Sequence, residues 1–166
     1  MTIHSLRYVP DPILSKKALR VDQVTDDIRH LLDDMLETMY ENQGAGLAAN
    51  QIGVLKRLVV IDTGDETPAP LKLINPELTE MSVTKHPSTE GCLSVPEYYA
   101  EVDRSTSITV QYLDEQGCSQ ELKAEGLLSD CIQHEIDHLN GIVFIDHLSP
   151  MKRRMALKKL RKLHKP

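Results

Sequence analysis

Gly126-Leu-Leu-Ser-Asp-Cys-Ile-Gln-His-Glu-Ile-Asp-His-Leu139 is the stretch on which the reading of this chain turns. Leu127, Leu128, Ile132, Ile136 and Leu139 are dense enough to predict a buried helix, and Gly141 stands where a left-handed C-terminal cap would sit. Its middle, His134-Glu135-Ile136-Asp137-His138, nevertheless places two histidines and a glutamate where burial without partners is costly. On a helix the two histidines lie one turn apart on one face and can bind the same ion. Glu135, rotated by roughly 100° from His134, then flanks that ion as a base toward a bound water. The H-E-x-x-H pattern therefore reads as a metal site with a base beside it.

A catalytic site of this kind needs a third protein ligand and one open position. The longer pattern H-E-x-x-H-x-x-G-x-x-H is matched through Gly141, but its last position is Phe144, which cannot ligate. A downstream glutamate is excluded too, because no Glu follows Glu135. Asp146 and His147 remain candidates, although their place just past Ile142-Val-Phe-Ile145 suits residues that face solvent or close the next helix. Upstream, Cys92 lies in the turn-like Glu90-Gly-Cys-Leu-Ser94, where a thiolate pointing at a neighbouring helix would be stabilised by a divalent ion. A small buried thiol is the plainer reading of a single cysteine.

The rest of the chain supplies the packing partners. After a lead-in punctuated by Pro10 and Pro12, Thr25 N-caps a helix whose first turn carries Asp26 and Asp27. Its apolar face is Ile28, Leu31, Leu32, Met35 and Met39, and Gly44 and Gly46 end it. Leu58 to Asp62 reads as a buried strand and Thr63 to Pro70 as a loop. From Leu71 through Leu122 several short antiparallel strands are expected, broken by Pro76, Pro87 and Pro96. Ile108, Val110 and Tyr112 alternate with polar residues before Asp114-Glu-Gln-Gly117, a hairpin signal. Ser149 and Pro150 open a basic helix with Met151, Met155, Leu160 and Leu163 as its apolar side. The fold class is α+β: short antiparallel sheets around a central H-E-x-x-H helix, with an N-terminal helix and a basic C-terminal helix, in one domain spanning 1–166.

Composition narrows the classes. The chain has 166 residues, 40% hydrophobic and 27% charged, and no apolar run long enough to span a bilayer, so neither a membrane protein nor a disordered one is expected. The N-terminus shows neither a secretory signal nor a transit peptide, and the odd set Cys92, Cys118 and Cys131 argues against a disulfide framework; a cytoplasmic enzyme is expected. Net charge is -6, yet residues 149–166 hold 8 of the 19 Lys and Arg and no acid. That tail is either an RNA-seeking helix or a solvated face offsetting an acidic body.

Three segments together resemble the signature of the peptide deformylases: Gly44-Ala-Gly-Leu-Ala-Ala-Asn-Gln51, Glu90-Gly-Cys-Leu-Ser94 and Gln133-His-Glu-Ile-Asp-His138. Arg7 to Pro12 and Asp146 to Pro150 extend the likeness over nearly the whole chain. The resemblance implies a hydrolase that removes the formyl group from N-formylmethionyl N-termini of new polypeptides and releases formate. It implies that Cys92, His134 and His138 hold a metal, with water or hydroxide in the fourth position. Glu135 would move the protons, while the Gln51 amide and the Leu93 backbone N–H would steady the oxyanion. Ala45, Glu90, Leu127 and Cys131 would border the methionine pocket, and Gly46 and Gly91 would serve a peptide lying alongside as an added strand. A side chain at Gly46 is expected to obstruct that peptide's backbone. Glu90 would pair with Arg104 beneath the site. At Asp130 the likeness is not carried over: a solvated carboxylate is the plain reading, and one facing the pocket would disfavour acidic peptides.

The Cys-His-His set suits several metals. The likeness favours Fe²⁺ in the cell, with Zn²⁺, Ni²⁺ or Co²⁺ able to occupy purified protein. A ferrous ion beside a thiolate predicts activity lost in air. For Lys152, Arg153, Arg154, Lys158, Lys159, Arg161, Lys162 and Lys165 the likeness suggests a contact with the ribosome near the nascent chain; no membrane or DNA partner is expected. Two rival functions stand beside the hydrolase: an H-E-x-x-H endopeptidase, which would cut unformylated peptides, and a ribosome-binding module with a closed structural metal, which would tolerate Glu135→Gln.

Overall fold

The computed structural model describes residues 2–64 and 67–163. Helix α1 (Asp26–Glu41) starts where the Thr25 hydroxyl accepts from the Ile28 N–H, with Asp26 and Asp27 in its first turn, as its sequence predicts. Ile28, Leu32, Met35 and Met39 are buried and Leu31 partly so. The helix ends earlier than its glycines suggest. Gln43, at φ 58°, takes the left-handed position, and the N–H groups of Gln43 and Gly44 close on the carbonyls of Tyr40 and Met39.

Strands β1 (Gly46–Ala48), β2 (Leu58–Ile61), β3 (Leu71–Met81), β6 (Ser107–Leu113) and β7 (Ser119–Glu125) form an antiparallel sheet in the order β1-β2-β3-β6-β7. Strands β4 (Lys85–Cys92) and β5 (Val95–Ser105) make a separate antiparallel pair. The prolines expected to break the strands lie within them. Pro76 falls in a register shift between Ile74 and Glu77, beside Asn75 at φ 51°, whose amide exchanges two 2.8 Å hydrogen bonds with the Val21 backbone. Pro87 and Pro96 belong to the two-stranded pair, where each strand keeps an edge that needs no N–H donor. The 107–125 hairpin turns at Asp114 to Cys118, with Gly117 at φ 79°.

Helix α2 (Gly126–Leu139) occupies the centre. Strand β2 explains why: its four residues are all buried, because Val59 and Ile61 join the cluster around Ile132, Ile136 and Leu139 of α2 while Leu58 and Val60 join Leu32, Met35 and Met39 of α1. Helix α2 is tied at its middle and at its C-terminal end. Gln133 Oε1 accepts from the Ser105 N–H at 3.0 Å and its Nε2 donates to the Ser105 carbonyl at 2.9 Å. The Arg57 guanidinium donates to the Leu139 carbonyl at 3.0 Å, a cation on the negative helix end. Gly141, at φ 78°, caps the helix, and a Cβ there would lie 2.6 Å from the Ser15 carbonyl oxygen.

Helix α3 (Pro150–Leu163) is capped by the Ser149 hydroxyl, which accepts from the Lys152 N–H. Its docked stripe differs from the expected one. Ala156 and Leu160 are buried against the Phe144 and Val95 cluster, whereas Met151, Met155 and Leu163 are exposed. The half-buried Leu157 packs beside that i, i+4 line. Met1, Asp65, Glu66 and Lys165, which figured in the readings of the N-terminus, the 63–70 loop and the basic tail, lie outside the described residues. Among the described residues no helix is long and apolar enough to cross a membrane.

Candidate metal centre and active site

Strand β4 ends at Cys92, and β5 returns immediately, with Cys92 opposite Val95. This turn delivers the cysteine to the face of α2 that carries the two histidines. One ligand atom each from Cys92, His134 and His138 lies within 4.8 Å of the others; Cys92 Sγ is 3.2 Å from His138 Nε2, and the two imidazole centroids are 5.0 Å apart. Phe144, which ended the search for a third histidine, stacks on the His134 ring with centroids 6.1 Å apart. Asp146 and His147 do not join the cluster: Asp146 pairs with Arg153 at 2.8 Å and His147 with Asp137 at 2.8 Å.

Behind the ligands runs a buried chain of charge. Arg104 donates to both oxygens of Glu90 at 2.7 Å and to Asp137 Oδ2 at 2.7 Å, and Glu90 Oε1 faces His134 Nδ1 at 2.9 Å. With Nδ1 engaged by a carboxylate, His134 presents Nε2 to an ion. Burial alone would raise the Glu90 pKa, but hydrogen bonds from Arg104 and His134 outweigh it and hold the carboxyl at about 2. Asp137 was missed as a member of this chain. Its signal lay in the motif itself, three residues after His134 on the same helix face.

Glu135 is also buried, its Oε2 4.0 Å from His134 Nε2, and burial pushes its pKa up to about 7. Its Oε1 and the Nδ1 of His138 have no hydrogen-bond partner among the described residues. Around His134 the charges of Glu135, Cys92 and Glu90 outweigh burial and favour a cationic ring, while burial and His134 itself keep His138 neutral. A sulfur and two imidazoles converging in so anionic a setting fit a divalent cation, and the unpartnered Glu135 oxygen fits a water beside it.

A cavity of about 420 Å³ opens on this cluster and is lined by Ala45, Gly46, Gln51, Glu90, Gly91, Cys92, Leu93, Leu127, Cys131, His134 and Glu135. His138 and Arg104, 0% and 4% exposed, stand behind its wall. The Gln51 amide does two things: Oε1 accepts from the Ala48 N–H at 2.9 Å, and Nε2 donates to Ser94 Oγ at 3.1 Å while lying 3.5 Å from Cys92 Sγ. Gly46 also leaves room for Glu135. A Cβ there would sit 2.6 Å from Glu135 Oε2 and 3.1 Å from its Cγ, so it would strike the glutamate.

Ser88 and Tyr99, not foreseen there, also line the cavity, and so does Asp130, in the pocket-facing alternative weighed for it. The Tyr99 ring lies over Gly91, where an added Cβ would be 2.5 Å from Cε1. Asp130 is not the solvated carboxylate expected: it is 7% exposed and bonded to His86 at 2.8 Å. The one-turn spacing from Asp130 to His134 carried that alternative, and the two-residue spacing from Ser88 to Glu90 was the signal for Ser88.

Comparison with known proteins bears on the same residues. Positions 3–154 match the sequence profile of the family described as polypeptide deformylase. The peptide deformylase of Mesorhizobium japonicum is 53% identical, the alignment covering 99% of this chain and 95% of that protein. That of Chromohalobacter salexigens is 52% identical, over 94% and 92%. Among solved structures, peptide deformylase from Ehrlichia chaffeensis in complex with actinonin superposes with a TM-score of 0.97 at 45% identity, covering 100% of both chains. A peptide deformylase from Legionella pneumophila gives 0.92 at 44% identity, over 99% of this chain and 100% of that one.

Proposed function

The chain belongs to the polypeptide deformylase family, and from that premise we propose that Cys92, His134 and His138 hold its metal ion while Glu135, Gln51 and Leu93 act on the substrate's formyl group. The protein is a metal-dependent hydrolase that removes the N-formyl group from nascent peptides. The observation that carries the residue assignment is the convergence of the Cys92 sulfur with two imidazoles from another element, within 4.8 Å.

An ion held by Cys92, His134 and His138 would supply a Lewis acid for the formyl oxygen and lower the pKa of a nearby water. Glu135 accepts the proton that the water gives up and passes one to the departing amine nitrogen as the C–N bond breaks, so formate and a free N-terminus result. Gln51 Nε2 and the Leu93 backbone N–H donate to the oxygen on which charge develops. Glu90 orients His134 through Nδ1, and Arg104 and Asp137 hold Glu90 in place. Ala45, Glu90, Leu127 and Cys131 border the methionine side chain. Strand β1 is the edge of its sheet, with β2 on one side only, so a peptide can pair along Gly46 as an added strand.

Fe²⁺ is the ion proposed for the cell, with Zn²⁺, Ni²⁺ or Co²⁺ in its place after purification. The enzyme is proposed to act in the cytoplasm. Lys152, Arg154, Lys158, Arg161 and Lys162 lie exposed along α3 and suit a salt-sensitive contact with ribosomal RNA.

The test is release of free amine from formyl-Met-Ala-Ser. Metal-loaded protein should release it, chelation should abolish it, and Glu135→Gln should lower kcat by about 100-fold or more with metal content retained. Cleavage of unformylated peptides, or full activity of Glu135→Gln, would overturn the assignment.

A further inference from the structure

Strand β4 alternates along its length: His86, Ser88 and Glu90 are turned inward, while Lys85, Pro87 and Thr89 are exposed. Leu127, Asp130 and His134 share the opposing face of α2 at helical spacing. Two rungs join these faces, Glu90 to His134 at 2.9 Å beside the metal ligands and His86 to Asp130 at 2.8 Å further out. Glu90, His134 and Asp130 all line the cavity, which reaches from the first rung to the second. Its β4 wall stops at Ser88, and the next inward residue, His86, crosses to α2 and meets Asp130. The side chains of Asp130 and His86 are 10% and 38% exposed, which places the pair where cavity gives way to solvent.

We propose that the His86–Asp130 pair is the end wall of the pocket for the substrate's N-terminal side chain, and that it limits how long a side chain the enzyme accepts. The inference rests on the deformylase reading. Pushing the pair apart would strip a buried carboxylate of its hydrogen bond, so the wall does not yield to a methylene chain. A pocket with a fixed end discriminates by roughly 10-fold or more per misfitting methylene.

The experiment compares kcat/KM of the metal-loaded enzyme for two substrates, formyl-norleucyl-Ala-Ser, whose side chain matches methionine in length, and formyl-2-aminooctanoyl-Ala-Ser, which is two methylenes longer. Wild type should favour the shorter peptide by at least about 10-fold. His86→Ala, which removes the wall from outside the cavity lining, should lower that ratio about 10-fold. Asp130→Asn, whose amide oxygen still accepts from the imidazole, should keep it. Wild-type discrimination below threefold, or an unaltered ratio in His86→Ala, overturns the end wall, and the wild-type comparison decides even where His86→Ala does not fold. Failure of wild type to deformylate either peptide or formyl-Met-Ala-Ser would instead remove the deformylase reading beneath it.

Discussion

Gly46→Ala tests the site through one methyl group. The added Cβ would lie 2.6 Å from Glu135 Oε2, 3.0 Å from Cδ and 3.1 Å from Cγ, so the carboxylate must retreat by about 0.8 Å to reach ordinary contact at 3.4 Å. Glu135 is 4% exposed and held in a packed helix, so its carboxyl can retreat only into the cavity it lines, away from its catalytic position. A displacement near 1 Å at a proton-transfer group costs on the order of 100-fold, which sets the expected fall in kcat. The metal ligands come from β4 and α2 and are untouched, and the pairing of Gly46 with Ile61 uses backbone atoms, so metal content and melting temperature should hold. Gly91→Ala is the control: its Cβ would come as close as 2.5 Å, but to the ring of Tyr99, which is 72% exposed and free to swing away. The assay is kcat on saturating formyl-Met-Ala-Ser for both variants, with metal content measured alongside. If Gly46→Ala keeps kcat within threefold of wild type, or falls no further than Gly91→Ala, the contact with Glu135 does not govern the rate.

Glu90→Gln leaves Arg104 and His134 without their shared charge; a loss of about 3 kcal/mol is expected, read as a fall of roughly 6–12 °C in the melting point of metal-free protein, with metal affinity weakened about 10- to 100-fold. An unshifted melting point would show that Asp137 suffices for Arg104. Burial and then the 2.6 Å hydrogen bond to Asp62 push the Tyr40 pKa up to about 12 from 10.0, so its contribution to stability is whole below pH 10 and is lost as pH rises toward 12. The gap in urea midpoint between wild type and Tyr40→Phe should therefore shrink over that range, and a constant gap would contradict it. Removing the metal should lower the melting temperature, and reloading with Ni²⁺ or Co²⁺ should restore activity that survives air, whereas Fe²⁺-loaded protein should lose activity in air. Equal survival of all forms would speak against an oxidisable ferrous site.

Where one period governed a segment, the sequence was legible. The bounds of α2, the Thr25 cap, the 107–125 hairpin and the Gly141 turn all follow from local chemistry, and the structure has each of them. The errors came where tertiary context outweighed local preference. Prolines 76, 87 and 96 read as breaks, but a bulge and a two-stranded sheet tolerate them because no neighbour needs their missing donors. Met151 and Met155 read as part of the apolar side of α3, but among the described residues both stay exposed while Ala156 and Leu160 are buried. The ligand trio was legible in chemistry and not in distance. Nothing in residues 85–105 alone states that β4 will end on the face of α2, and it was the family resemblance that joined Cys92 to the histidines.

The same geometry explains why the polar part of the site holds still. Helix α2 carries its ionisable residues on one face, and that face is gripped at several points by strands from two different sheets. Glu90 and Arg104 of the β4–β5 pair hold His134 and Asp137, Gln133 is bonded to both backbone groups of Ser105, and β1 presses Gly46 against Glu135. Each buried charge thus serves as the partner that makes the next one affordable, from the half-buried Asp137 through Arg104 and Glu90 to His134. Removing one member leaves its neighbours buried and unpaired, so substitutions along this chain should be less than additive with one another. Gly46→Ala touches none of these bonds and should add fully to Glu90→Gln in stability, while the two share a loss in rate.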